Sequence, residues 1–290
     1  MASETNPASS RRPPLRVAFQ GERGAFSEAA AIGLLGESIA TVPRPTFDSA
    51  FAAIAEGAAD ALLAPVENTL AGSVVRVYDL LVESNLGIVA ETVLHIEHQL
   101  IGCPGATLAD LRSVSSHPVA LAQCEKFFLA HPRLKRVPTE DTAGSIREVI
   151  SRGDKSFAGI AARRAAAIYG GVILAENIHD NPENFTRFVL LVPSAQAAQF
   201  ASPEANKMSL ALRLAHKPGA LLAALEPFSR HGVNLQKIES RPIHGRPFEY
   251  QFYLDVETTS PAALDAALKE VGSCTTFLRV LGLYPSANRV

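Results

Sequence analysis

Few cysteines, little net charge and no long apolar run each remove a class of function from this chain of 290 residues. Cys103, Cys124 and Cys274 are widely spaced and form no Cys-x-x-Cys pair. Free thiols in a reducing compartment follow, and the expected location is cytoplasmic. A net charge of -2 supplies no basic field, and no Lys or Arg run alternates with aromatics, so nucleic acid is not an expected partner. No apolar stretch approaches the ~20 residues of a membrane helix, so no membrane association is expected. Residues 1–14 hold Ser, Pro and Arg without an apolar core, which predicts a disordered tail rather than a signal peptide. Gly21 and Gly24 lie between an expected strand and helix, but neither phosphate-loop nor dinucleotide-loop spacing surrounds them; a turn is expected. His95 and His98 would take opposite faces of an extended strand. No Cys or carboxylate cluster completes a ligand set, and no metal is expected.

What is present is ordinary in amount, 47% apolar and 19% charged, and informative in order. The length suits one large domain or two medium ones. Strand then helix recurs at 16–20 and 27–31, at 61–64 and 74–81, at 114–116 and 120–128, and at 157–160 and 161–169. That alternation predicts an α/β sandwich with largely parallel sheets. The extended run at 88–96 reads as a crossover between two lobes. A second crossover is expected to return at 177–188, leaving a cleft. Residues 194–206 turn to Ala, Gln, Ser and Pro and read as a linker. Beyond it, a strand at 208–214 precedes a helix opened by Pro218 and followed by Gly232. Strands at 233–240 and 248–256, a helix at 261–271 and a strand at 277–283 complete a ferredoxin-like βαββαβ unit. A polar linker predicts that the two units are separable.

The segment from Asn184 to Leu191 places a hydroxyl and a guanidinium where an irregular loop becomes an apolar strand, the place where α/β folds gather chemistry. Alternation sets Thr186, Phe188 and Leu190 on one face and Arg187 on the other, unless the strand begins irregularly. Short polar residues also sit at expected helix starts: Ser27, Ser73, Ser116-His117-Pro118 and Asp141-Thr142. Each alone is an N-cap. Converging on one cleft, they would suit a small dicarboxylate better than a phosphate, for no catalytic-looking Lys accompanies them.

Pro65-Val66-Glu67-Asn68-Thr69, Gly72-Ser73, Tyr78-Asp79-Leu80-Leu81, Ser116-His117-Pro118, Gln123-Cys124 and Thr186-Arg187-Phe188 follow one another along the chain. With them the chain resembles the prephenate dehydratases. Gly219-Ala220-Leu221-Leu222 and Ile238-Glu239-Ser240-Arg241-Pro242 resemble the two elements that bind phenylalanine in the ACT domain of that family. Gln99 stands where Cys is common, and Gln236 where Thr is frequent. The resemblance implies a two-lobed, periplasmic-binding-protein-like catalytic domain at 15–193, a linker at 194–206 and an ACT regulatory domain at 207–285, in the monofunctional form. It implies loss of CO2 and hydroxyl from prephenate to give phenylpyruvate, driven by aromatisation and without a cofactor. Thr186 would then be catalytic, with Asn68, Thr69, Ser73, Gln123, Thr142, Arg187 and Phe188 binding substrate. Gly219, Ala220, Leu221, Asn234, Glu239 and Ser240 would receive phenylalanine in a homodimer or homotetramer. Arogenate is the alternative substrate, giving phenylalanine directly. A non-catalytic, two-lobed small-molecule-binding regulator is the alternative of another class.

Overall fold

A computed structural model of the chain describes residues 13–243 and 245–287. The tail expected at 1–14 falls outside them except for Pro13 and Pro14. The first lobe is built from β1 (Arg16–Gln20), α1 (Phe26–Leu35), β2 (Ala40–Arg44), α2 (Phe47–Ala55), β3 (Ala61–Asn68), β4 (Gly72–Ser73), α3 (Val75–Glu83) and β5 (Leu86–His95). The second lobe comprises β6 (Gln99–Gly102), β7 (Ser113–Ser116), α4 (Pro118–Ala122), α5 (Glu125–Ala130), β8 (Lys135–Pro138), α6 (Thr142–Arg152), β9 (Phe157–Ala161), α7 (Arg163–Tyr169) and β10 (Val172–Ala175). The chain then returns as β11 (Phe185–Pro193) to the first sheet, between β3 and β5. A 3-10 helix (Ser194–Phe200) leads into β12 (Lys207–Arg213), α8 (Ala220–Arg230), β13 (Asn234–Ile243), β14 (Arg246–Glu257), α9 (Pro261–Cys274) and β15 (Phe277–Tyr284). Both expected crossovers are present, and the last six elements form the expected βαββαβ unit.

Apolar continuity explains the central strands. Phe188 to Val192 are all buried because β11 is covered on both faces, so its sequence runs apolar without alternating. Local chemistry moves three boundaries. The first helix begins at Phe26 with Ala25 at its cap and no side-chain cap bond, so Ser27 does not cap it. The helix expected at 120–128 breaks at Gln123 and Cys124 into α4 and α5. At α8 the entry is made by Gly219 in the left-handed region at φ 78°, one residue after Pro218.

The largest difference concerns the linker. Its composition is polar, yet the sheets on either side of it are one. The bridge between Gly282 of β15 and Ile88 of β5 joins them in parallel. A Cβ at Gly282 would lie 2.1 Å from the Ile88 carbonyl oxygen, so the join requires glycine. Arg279 donates to the carbonyls of Val82 and Ser84, at 2.8 and 2.7 Å, satisfying the orphan acceptors at the end of α3. Ala211, Tyr253, Leu281 and Tyr284 share one core cluster with Tyr78, Ile88, Val189 and Leu191. Linker composition is silent about the faces a linker brings together.

Candidate functional site

The hydrogen-bond directions at the site are set by a turn. Asn68 ends β3, and its Oδ1 accepts from the backbone N–H groups of Leu70 and Ala71, at 3.0 and 2.8 Å. A backbone N–H can only donate, so the amide orientation is fixed and Nδ2 faces the other way. There it donates to Asn184 Oδ1 at 2.8 Å, with Thr186 Oγ1 at 2.9 Å and the Phe185 carbonyl at 3.1 Å. Fully buried Asn184 turns its Nδ2 to Gln123 Oε1 at 3.1 Å. His98 Nε2 lies 2.8 Å from that same oxygen. Thr186, Asn68, Asn184, Gln123 and His98 thus form one neutral chain spanning both lobes. Burial lowers the His98 pKa to about 4, with the Gln123 bond raising it and His179 lowering it further.

The Phe26 ring meets His98 edge-on at 5.6 Å. Phe26 opens α1 and lines a cavity of about 510 Å³ with Ser27, Thr46, Phe47, His117 and Thr142. The cavity collects the starts of α1, α2, α4 and α6. Three of these are already satisfied: Thr46 accepts from Ser49 N, Asp141 from Gly144 N at 2.6 Å, and His117 Nδ1 from Val119 N at 3.2 Å. The start of α1 has no such side-chain cap, which leaves N–H groups for an anion. Fully buried Glu28 holds the Gly21–Gly24 turn, accepting from Gly24 N at 2.7 Å and Thr41 Oγ1 at 2.9 Å and pairing with Arg164. Among the described residues no Lys or Arg lines this cavity. Thr186, Asn68 and Gln123 do not line it either, and the contact of Phe26 with His98 is what links them to it.

Other residues singled out in the sequence lie elsewhere. Thr69 Oγ1 donates to the Glu183 carbonyl at 2.8 Å and accepts from Phe185 N at 3.0 Å, tying the returning loop to the turn. Phe188 is buried in the first-lobe core. Ser116 is buried and bonded to the Ile160 carbonyl. Arg187 takes the opposite face of β11 from Thr186, although the pairing with β3 shifts register between Arg187 and Phe188. Its guanidinium meets Glu91 at 3.0 Å and Asp255 at 2.6 Å, and Lys207 closes on Glu91 at 2.9 Å. Burial alone would lower its pKa, but Asp255, with Tyr284, Tyr78 and Glu91, outweighs that and raises it. Ser73 donates to Glu239 at 2.7 Å and accepts from Lys237 at 2.9 Å. Lys237 also pairs with Glu67 at 2.8 Å, and Arg241 approaches Asp79 at 3.6 Å. Lys237, Glu239 and Arg241 alternate on β13 and present one face to the first lobe.

The C-terminal elements divide between two cavities. Ala220 and Leu221 line one of about 150 Å³ with Leu214, His216 and Tyr250, next to Gly219. Arg241 and Pro242 line another of about 880 Å³ with Arg76, Arg213 and Gln251. Asn234 and Ser240 are exposed on β13. The sequence alone gives a role to neither Asn184 nor His98, the latter weighed only as a metal ligand and set aside. The one available signal is a lone Asn directly before the Thr-bearing strand. Among the described residues no group of His, Cys, Asp and Glu is arranged to hold a metal, and no helix is long and apolar enough to cross a membrane. All three cysteines are free, Cys103 and Cys124 buried and Cys274 exposed.

Residues 17–196 match the prephenate dehydratase family model and residues 208–273 the ACT domain model. Arogenate dehydratase/prephenate dehydratase 2, chloroplastic, of Arabidopsis thaliana is 40% identical over 284 residues, covering 93% of this chain and 73% of that protein. A solved prephenate dehydratase from Arthrobacter aurescens, in complex with L-Phe, is 32% identical with a TM-score of 0.84 over 94% of this chain and 90% of its own. A structure described as GqqA, a novel type of quorum quenching acylase, is 34% identical with a TM-score of 0.84, covering 94% of this chain and 98% of that one.

Proposed function

The chain belongs to the prephenate dehydratase family and carries an ACT domain, and on that premise we propose that it converts prephenate to phenylpyruvate under control by phenylalanine. The observation that carries the catalytic part is the direction of one hydrogen bond. Thr186 Oγ1 accepts from Asn68 Nδ2, so its own proton is free to be donated. In the reaction the bond between the ring and its carboxylate breaks, and the carboxylate leaves as CO2. Its electron pair enters the ring and expels the C4 hydroxyl, which becomes water on taking up one proton. A threonine hydroxyl is too weak an acid to surrender that proton at neutral pH. Thr186 therefore stabilises the charge growing on the departing oxygen, and water supplies the proton. Asn68 orients Thr186, and Gln123 positions the substrate. The pyruvyl carboxylate, which does not leave, suits the open N–H groups of α1 with Ser27 and Thr142 nearby.

Arogenate is the second reading, and the cavity wall favours keeping it. Asp48, Glu140 and Asp141 line the cavity, and an acidic wall suits the ammonium group that arogenate carries and prephenate lacks. Incubating the purified protein with each substrate and comparing kcat/KM for phenylpyruvate and phenylalanine formation decides between them. Turnover of neither, with phenylalanine still bound, would leave the non-catalytic regulator. For the effector, Ala220 and Leu221 of the first element and Arg241 and Pro242 of the second line different cavities within one chain. A homodimer that brings the first element of one copy to the second of another would form the phenylalanine site, and phenylalanine titration with sedimentation tests it. The free thiols support a reducing compartment, here the cytoplasm, although the Arabidopsis relative is named chloroplastic.

A further inference from the structure

We propose that His98 is a positioning residue for the dehydration, acting through Gln123. Its Nε2–H, with Asn184 Nδ2, occupies the Gln123 carbonyl oxygen and commits the Gln123 amide N–H groups to the substrate. The inference rests on the reading of Gln123 as a substrate amide.

Direction runs through the site without a break. The backbone N–H groups of Leu70 and Ala71 fix Asn68, Asn68 fixes Asn184, and Asn184 presents a donor to Gln123. The atom of Gln123 facing Asn184 must therefore be its oxygen. That oxygen is 2.8 Å from His98 Nε2, which must then carry the ring proton. A flipped Gln123 would set its amide N–H groups against two donors. Held as it is, Gln123 has no protein acceptor for Nε2 among the described residues.

The other ring nitrogen supports the same role. His98 Nδ1 is buried and has no hydrogen-bond partner. An orphaned acceptor destabilises the fold, and phenylalanine would fill the space without it. Packing alone does not account for an imidazole here, whereas a donor aimed at Gln123 does. The ring meets Phe26 on one side, His179 at 6.3 Å between centroids, and Gln123. None is a carboxylate that would favour imidazolium, and the neutral ring orients rather than transfers a proton.

Three variants test this: His98→Phe, His98→Gln and Gln123→Ala, with the His98→Phe/Gln123→Ala double. His98→Phe is expected to lower kcat/KM by about tenfold to a hundredfold, the scale of a misplaced substrate group, with an unchanged or raised thermal midpoint. His98→Gln, which keeps a donor near Nε2, is expected to recover most of the rate. In the Gln123→Ala background His98→Phe should add no more than about twofold. Wild-type kinetics in His98→Phe, equal losses in the Phe and Gln variants, or losses that multiply fully with Gln123→Ala would each overturn the proposal. Wild-type turnover by Gln123→Ala would also overturn it, by removing the substrate amide. A wild-type protein that dehydrates neither prephenate nor arogenate would instead overturn the functional reading itself.

Discussion

Thr186 and Arg187 are neighbours on β11 and inhabit opposite kinds of chemistry. Thr186 ends a neutral chain of amides and one imidazole, with no formal charge in it. Arg187 sits in a buried cluster of charges with Glu91, Asp255 and Lys207. Strand alternation makes the division, and it assigns different work to the two sides. The neutral side fixes where each proton points at little desolvation cost. The charged side holds the C-terminal domain to the first lobe, and buried charges are tolerated there only because each is paired. On the proposed reading of Thr186, a motif contiguous in sequence is half chemistry and half docking. The face of β13 that carries Lys237, Glu239 and Arg241 is a second docking surface, against Glu67, Ser73 and Asp79.

The comparison breaks most visibly at Arg187. Arg187→Leu leaves Asp255 and Glu91 without their guanidinium and is expected to cost about 3–5 kcal/mol in unfolding free energy, measured by denaturant titration. Dehydratase turnover by the fraction that remains folded should fall far less than in the next variant. Thr186→Ala is expected to lower kcat by about a hundredfold to a thousandfold, or about 2.7–4 kcal/mol, with little change in stability, while Thr186→Ser keeps much of the rate. Turnover lost to the same extent in Arg187→Leu at full stability would mean that the guanidinium serves the substrate after all.

Local signals are legible in the sequence, and distant partners are not. Apolar runs at 61–64 and 188–192 mark the central strands, and simple alternation is enough to put Thr186 and Arg187 on opposite faces. Ser73 reads as a helix cap because its neighbours are local, yet its hydroxyl reaches Glu239 across 166 positions of sequence. Asn184 looks like a loop residue, since nothing nearby in sequence reveals contacts to Asn68 and Gln123. The shared sheet is hidden for the same reason. A single glycine, Gly282, permits it, and a glycine near a chain end carries no pattern of its own.

Acid should act on the neutral side. Burial lowers the His98 pKa from 6.5 to about 4, so between those values the unfolded chain binds the proton and the folded one does not. The stabilisation is present above pH ~6.5 and is lost as pH falls toward ~4, by up to about 1.4 kcal/mol per unit. From pH 7 to 4.5 the wild type is expected to lose about 2–3 kcal/mol more than His98→Gln, read from urea titrations at the two pH values. An equal loss in both would indicate an imidazole that already carries a proton when folded. At the domain join, Gly282→Ala would press a Cβ onto the Ile88 carbonyl. Overpacking of this kind costs about 1–3 kcal/mol, and faster hydrogen exchange in β5 and β15 should locate it there.

Ser73→Ala is the smallest change and sharpens the comparison furthest, because the two assignments of Ser73 predict different measurements. Its hydroxyl donates to Glu239 and accepts from Lys237, so in the structure it belongs to docking. Losing one such bond costs about 1 kcal/mol, partly offset because Lys237 keeps its pair with Glu67. KM for the dehydrated substrate should then stay within about twofold, since about 1.4 kcal/mol would be needed for a tenfold change. The phenylalanine response should move instead. Glu239 belongs to one of the two proposed effector elements, and a carboxylate freed from Ser73 would change the balance between the docked state and any state that phenylalanine prefers. A shift of several-fold in the half-inhibiting phenylalanine concentration at constant KM would place Ser73 with Arg187, on the docking side. A several-fold rise in KM with an unchanged phenylalanine response would return it to the substrate, beside Thr186.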